Sequence, residues 1–99
     1  MNQQAMLRKA RQLQQEMLAT QKEIDETEFT ANVGPVTVVM NGAKELLKVV
    51  IDKDYELASD DDREILEDSI VAASSKLNKE IAEYTEEKMA KYKAFLGGF

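Results

Sequence analysis

The pair Asn41-Gly42 stands between two runs of β-forming residues, 36–40 and 44–51. A type I′ turn needs φ > 0 at both central residues, and Asn-Gly adopts it at low cost. The two runs are therefore predicted to pair as an antiparallel hairpin. Val36, Val38 and Met40 share one face of the first run, as do Leu47, Val49 and Ile51 on the second. The opposite face carries Val39, Leu46 and Val50, diluted by Thr37 and Lys48. A third run, 27–33, sets Phe29, Ala31 and Val33 against Glu28, Thr30 and Asn32, which is strand alternation. Gly34-Pro35 turns it into the hairpin, a place where proline does not break the ladder. The three strands make a sheet apolar on one side and partly apolar on the other. The second face, or an edge, is predicted to meet another subunit.

Helical patterns flank the sheet. In residues 3–25, Met6, Ala10, Leu13, Met17, Thr20 and Ile24 form a narrow seam among Gln, Glu, Lys and Arg, which are good helix formers. Residues 60–93 read as one long helix with Leu66, Ile70, Ala73, Leu77, Ile81 and Tyr84 along a stripe. Ser59 precedes it as a capping hydroxyl, Asp62 sits where a capping-box partner belongs, and Asp60, Asp61 and Glu64 favour the positive end of the helix dipole. The two helices would run about 35 Å and 50 Å. Strands of this length extend only about 20 Å. The overhanging stripes must pair with each other or with a second chain, and a homodimer is the expected outcome. The architecture is thus α+β: helix, three-stranded antiparallel sheet, long helix, as one domain over 1–99. The tail, 95–99, is expected to be loose or pinned by its aromatics.

A chain of 99 residues buries only a modest core, which again favours association. It holds no Cys and no His. Without these, catalysis would fall to Ser, Lys, Tyr or carboxylates, and Ser69, Ser74 and Ser75 lie on the long helix with no strained elbow around them. No enzyme, cofactor or small-molecule substrate is expected. Asp52, Asp54 and Glu56 open like a calcium loop, but Leu57 and Arg63 occupy the places of its glycine and closing glutamate. No signal sequence or membrane span is evident, so a cytoplasmic protein is expected.

The net charge of −6 argues at first against a polyanionic partner. Its distribution changes that reading. Residues 52–68 hold nine acids and two bases, a net of −7, and the remainder of the chain nets +1. Arg8, Lys9 and Arg11 form a positive run with no acid before Glu16. Positive charge near a helix N-terminus opposes the dipole, so helix stability does not explain its position. Lys88, Lys91 and Lys93 decorate the far end of the long helix, diluted by Glu86 and Glu87. A bare charge run is usually a solvated face. A dimer, however, would double it into six cations on projecting helices, enough for salt-sensitive binding to phosphates. The aromatics lie in the sheet, the loop and the last part of the chain, away from the Arg8–Arg11 run, and no recognition helix for base readout is seen, so duplex backbone contact is the expected mode.

The wording of Val38-Val39-Met40-Asn41-Gly42, of Val50-Ile51-Asp52, and of Asp61-Asp62-Arg63-Glu64-Ile65-Leu66-Glu67-Asp68 followed by Ala72-Ala73, resembles the YbaB/EbfC family of nucleoid-associated proteins. The resemblance spans about residues 5–93. It implies a helix, three antiparallel strands and a long helix assembled as a tweezer-like homodimer. It also implies binding to double-stranded DNA in the bacterial nucleoid, with Arg8, Lys9 and Arg11, and then Lys88, Lys91 and Lys93, as the DNA-binding residues. The chain departs from its relatives at Ser74, Ser75 and Lys76, where Asn and Ala are common. A rival expectation is an acidic homodimeric interaction or scaffold protein with weak or no DNA binding. A prefoldin-like arrangement fails because its arms need longer heptad runs.

Overall fold

A computed structural model describes residues 2–95; the expectation for residues 96–99 lies outside the described residues. Helix α1 spans Gln3–Glu26, followed by strands β1 (Glu28–Val33), β2 (Val36–Asn41) and β3 (Leu46–Ile51), and by helix α2 (Asp60–Phe95). The strands form one antiparallel sheet in the order β1-β2-β3. The predicted α+β architecture is therefore present, with α2 running two residues further than the stripe required.

Each boundary has a local cause. The Asn2 carboxamide oxygen accepts from the Ala5 amide at 2.8 Å and opens α1. The chain leaves α1 at Thr27, whose hydroxyl donates to the Glu23 carbonyl at 2.7 Å. At the other helix the capping box is reciprocal: the Asp62 amide donates to Ser59 Oγ at 3.2 Å, and the Ser59 amide donates to the Asp62 carboxylate at 3.0 Å. The same carboxylate also accepts from the Ala58 amide at 3.0 Å, and the Tyr55 hydroxyl donates to the Asp62 carbonyl. The acidic loop is thus tied to the start of α2.

Both predicted hairpins form, but the second closes through a different turn from the one its sequence suggested. Gly34-Pro35 makes the tight two-residue connection, with Val33 opposite Val36. Gly34 has φ +54°, and a glycine with positive φ at the first central position is the signature of a type II′ turn. Asn41-Gly42 does not form the expected type I′ turn. The Lys44 amide donates to the Asn41 carbonyl at 2.9 Å, the Asn41 amide donates to the Glu45 carbonyl at 3.1 Å, and the left-handed residue is Lys44, at φ 64°. This is a three-residue loop, a turn followed by a left-handed residue. It moves the start of β3 from 44 to 46. Gly42 is required for another reason. A Cβ there would lie 1.8 Å from the Ile24 carbonyl oxygen, so the loop presses against the end of α1. The Gly42 amide donates to the Thr27 carbonyl at 3.0 Å and locks that contact.

The core lies between the sheet and α2. Ala31, Val36, Val38 and Met40 meet Ala73, Leu77 and Ile81, with Phe29, Val33, Leu66 and Ile70 around the rim. These are the inward positions that alternation and the helical stripe mark out. Val36, Val38, Leu77 and Ile81 are fully buried, each contributing about 1.5–3 kcal/mol. Ser69 is also buried, under the Gly34 turn.

Both helices overhang the sheet, as the lengths predict, giving a molecule 71 × 20 × 12 Å. Part of the overhang is satisfied within the chain. α1 runs back along the C-terminal part of α2, and Thr20 Oγ1 and the Tyr92 hydroxyl share a hydrogen bond at 3.1 Å. Tyr92 is buried there, and Phe29 meets Tyr84 edge-to-face at 5.2 Å. Some apolar surface stays open on the stem, where Met6, Leu7, Leu18 and Phe95 are exposed, and a second area lies on the sheet. Every residue of β3 is exposed, because α2 covers β1 and β2 and leaves the third strand bare.

Candidate nucleic-acid interface

The cation-bearing stem is an antiparallel pair of helices. Its inner seam is largely apolar: Ala10, Leu13, Met17, Tyr92 and Phe95, together with the polar Gln14, surround a partly open cavity of about 230 Å³. The seam fixes which faces of α1 point outward. Arg8, Lys9 and Arg11 are all exposed, two to four turns before the Thr20–Tyr92 anchor. Arg8 and Arg11, one turn apart, line a shallow surface groove with Gln4 and Leu7.

The three C-terminal lysines are placed differently. The Lys88 ammonium lies 5.5 Å from the centre of the Tyr84 ring, and that of Lys91 lies 4.9 Å from the centre of the Tyr92 ring. Both distances fall within cation–π range, so part of each charge's attraction is spent inside the stem. Lys93 opens onto a separate groove, shared with Gln21, Lys44 and Glu86. The six cations singled out in the sequence therefore form no single cluster. Arg8 and Arg11 are together, Lys9 is exposed beside them in sequence, Lys88 and Lys91 cover rings, and Lys93 stands apart.

Helical rise gives the separation of charges. From the acidic helix start, Asp60 to Asp68, along α2 to the Tyr92 anchor, and on along α1 to Arg8, the distance is about 55–65 Å. That is several Debye lengths at physiological salt. The acidic segment and the arginines thus occupy opposite ends of the long axis.

The family model of the YbaB/EbfC DNA-binding family matches residues 1–96. The chain belongs to this family. Among proteins related to it is a nucleoid-associated protein of Clostridium novyi (strain NT), 39% identical over 93 residues, covering 92% of this chain and 80% of the relative. Another, also named a nucleoid-associated protein, comes from Agathobacter rectalis; it is 34% identical over 95 residues, 94% of this chain and 82% of its own. A third, from Chloroflexus aurantiacus, is 34% identical over 91 residues, covering 90% and 89%. Membership of the YbaB/EbfC family agrees with the resemblance read from the hairpin and helix-start segments.

Sequence reasoning passed over one residue of this surface. Lys44 lies in the hairpin loop, 33 residues from Arg11 in the chain, yet it shares a groove with Lys93. Its position in the stretch read as β3 concealed it; only the loop geometry brings it to the foot of the stem.

Proposed function

We propose that this protein binds double-stranded DNA through its phosphate backbone, with little sequence preference, as a homodimer associated with the bacterial nucleoid and hence cytoplasmic. Its family and the names of its relatives support the DNA-binding role. The observation that carries the mode of binding is the position of Arg8, Lys9 and Arg11: exposed, and about 60 Å from the acidic segment. At that distance the net charge of −6 does not govern what the stem meets. Each phosphate neutralised releases counterions, so binding strengthens steeply as salt falls. Lys93 is a secondary contact, and Lys88 and Lys91 add positive field while resting on their rings.

The dimer is assigned to β3. Leu46, Leu47, Val49, Val50 and Ile51 are each between about two-fifths and just over half exposed, and Ile65 and Val71 on α2 are also exposed. An exposed strand this rich in apolar side chains on a small chain calls for a partner. A second copy placed there leaves both stems projecting, which is the tweezer-like form, and doubles the arginines.

No catalytic step is assigned. The chain has neither His nor Cys, and among the described residues no group of acids is arranged to hold a metal ion. No helix of the structure is long and apolar enough to cross a membrane. The bare β3 is also what an interaction protein would use. Retention of duplex DNA in gel shifts at low salt, lost when Arg8, Lys9 and Arg11 are changed to Glu, supports the DNA reading. A partner captured equally well after nuclease treatment, with no DNA retained, would support the scaffold reading instead.

A further inference from the structure

We propose that Lys44 is a further DNA-contacting residue, which carries the cationic surface of the stem down to its root. The inference rests on the DNA-binding reading above and deepens it. The loop after β2 needs a left-handed residue at its third position, where Gly is the usual choice. The chain puts Lys there, at φ 64°, in a conformation that a side chain with a Cβ adopts at a cost. The side chain is exposed and packs in no core, so folding does not explain its identity. Strain kept at a residue without a structural role points to function.

The surroundings say which function. Lys44 lines an open groove of about 500 Å³ with Gln21 of α1 and with Ile81, Thr85, Glu86 and Lys93 of α2. From Ile81 to Lys93 the groove follows α2 for about 18 Å, toward the end that bears the arginines. That span matches about five base-pair steps of duplex. Lys44 and Lys93 supply two cations to this groove and Gln21 and Thr85 an amide and a hydroxyl, groups that suit a phosphate strand, beside the apolar Ala82 and Met89. Glu86 is the opposing charge, and it weakens the contact.

Lys44→Gly separates this role from folding, because glycine relieves the left-handed strain while deleting the charge. Its melting temperature should equal or exceed that of the parent. Its affinity for a duplex should fall about five- to tenfold at 0.1 M salt for each phosphate that Lys44 neutralises, and the salt slope should shrink by about 0.9 for each Lys44 engaged. Lys53→Gly makes the same charge change in the acidic loop and should leave the slope alone. Glu86→Gln should tighten binding. Parental affinity and slope in Lys44→Gly, with the wild type binding DNA, would overturn the assignment of Lys44 and leave the DNA reading intact. Failure of the wild type to bind any duplex would instead remove the reading on which it rests. A lower melting temperature for Lys44→Gly would refute the argument from strain.

Discussion

Gly42 shows how a single residue can be legible for one reason and required for another. Asn-Gly points correctly to a hairpin, but the residue with positive φ is Lys44. What demands a glycine is the Ile24 carbonyl of a distant helix, and no local pattern records such an approach. Gly42→Ala is therefore expected to destabilise the protein by about 3 kcal/mol or more, as overpacking against backbone does. Urea unfolding would measure it, and a loss under about 1 kcal/mol would mean that α1 yields at little cost. Tyr55 offers a second test at this scale. Partial desolvation, and then the Asp62 carboxylate, raise its phenol above the ordinary value of 10.0. A folded-state value above the unfolded one means that its contribution to stability is fully present below about pH 10 and is lost as pH rises through the raised value. Difference absorbance between wild type and Tyr55→Phe should therefore show a phenolate appearing above about pH 10. A midpoint at or below that pH would contradict the arrangement.

Elements are legible where their causes are local. The start of α2 is readable from Ser59 and Asp62, and both halves of that capping box are formed. Ser59→Ala should accordingly cost about 1 kcal/mol, read as a lower urea midpoint with an unchanged m-value. The stripe Ala73, Leu77 and Ile81 and the alternation of β1 and β2 identify the core directly. β3 is the exception. Its alternation is as clear as that of β2, yet none of its residues is buried, because one helix is too narrow to cover three strands. Apolar patterning records what must leave water, and it is silent on whether the cover comes from the same chain. The overhang of the helices, which also argues for a partner, is answered only in part by α1 lying on α2 at Tyr92, since Met6, Leu7 and Leu18 stay exposed. The case for association thus rests on the bare strand as well as on the stems.

At the scale of the molecule, a bare strand at the root is joined to cations at the far end. Charge in β3 should break the association without altering the cations. Val49→Lys is expected to yield a monomer in sedimentation that keeps its circular dichroism, since Val49 is more than a third exposed in the single chain. Binding to DNA should weaken as one set of arginines is lost, because linked sites bind by effective concentration. A Val49→Lys protein that still sediments as a dimer would place the interface elsewhere. The ordering of ions along the axis is only half visible in the sequence. The acidic block and the basic run are each contiguous there, but their separation in space follows from α1 doubling back along α2, a long-range contact.

The most direct test of the central claim is the salt dependence of duplex binding, measured for the wild type and for the protein with Arg8, Lys9 and Arg11 all changed to Glu. The wild type should lose affinity steeply as salt rises, on duplexes of unrelated sequence alike, and the variant should retain no duplex at low salt while sedimenting as the wild type does. Equal binding by the two proteins, or a wild-type affinity indifferent to salt, would contradict it.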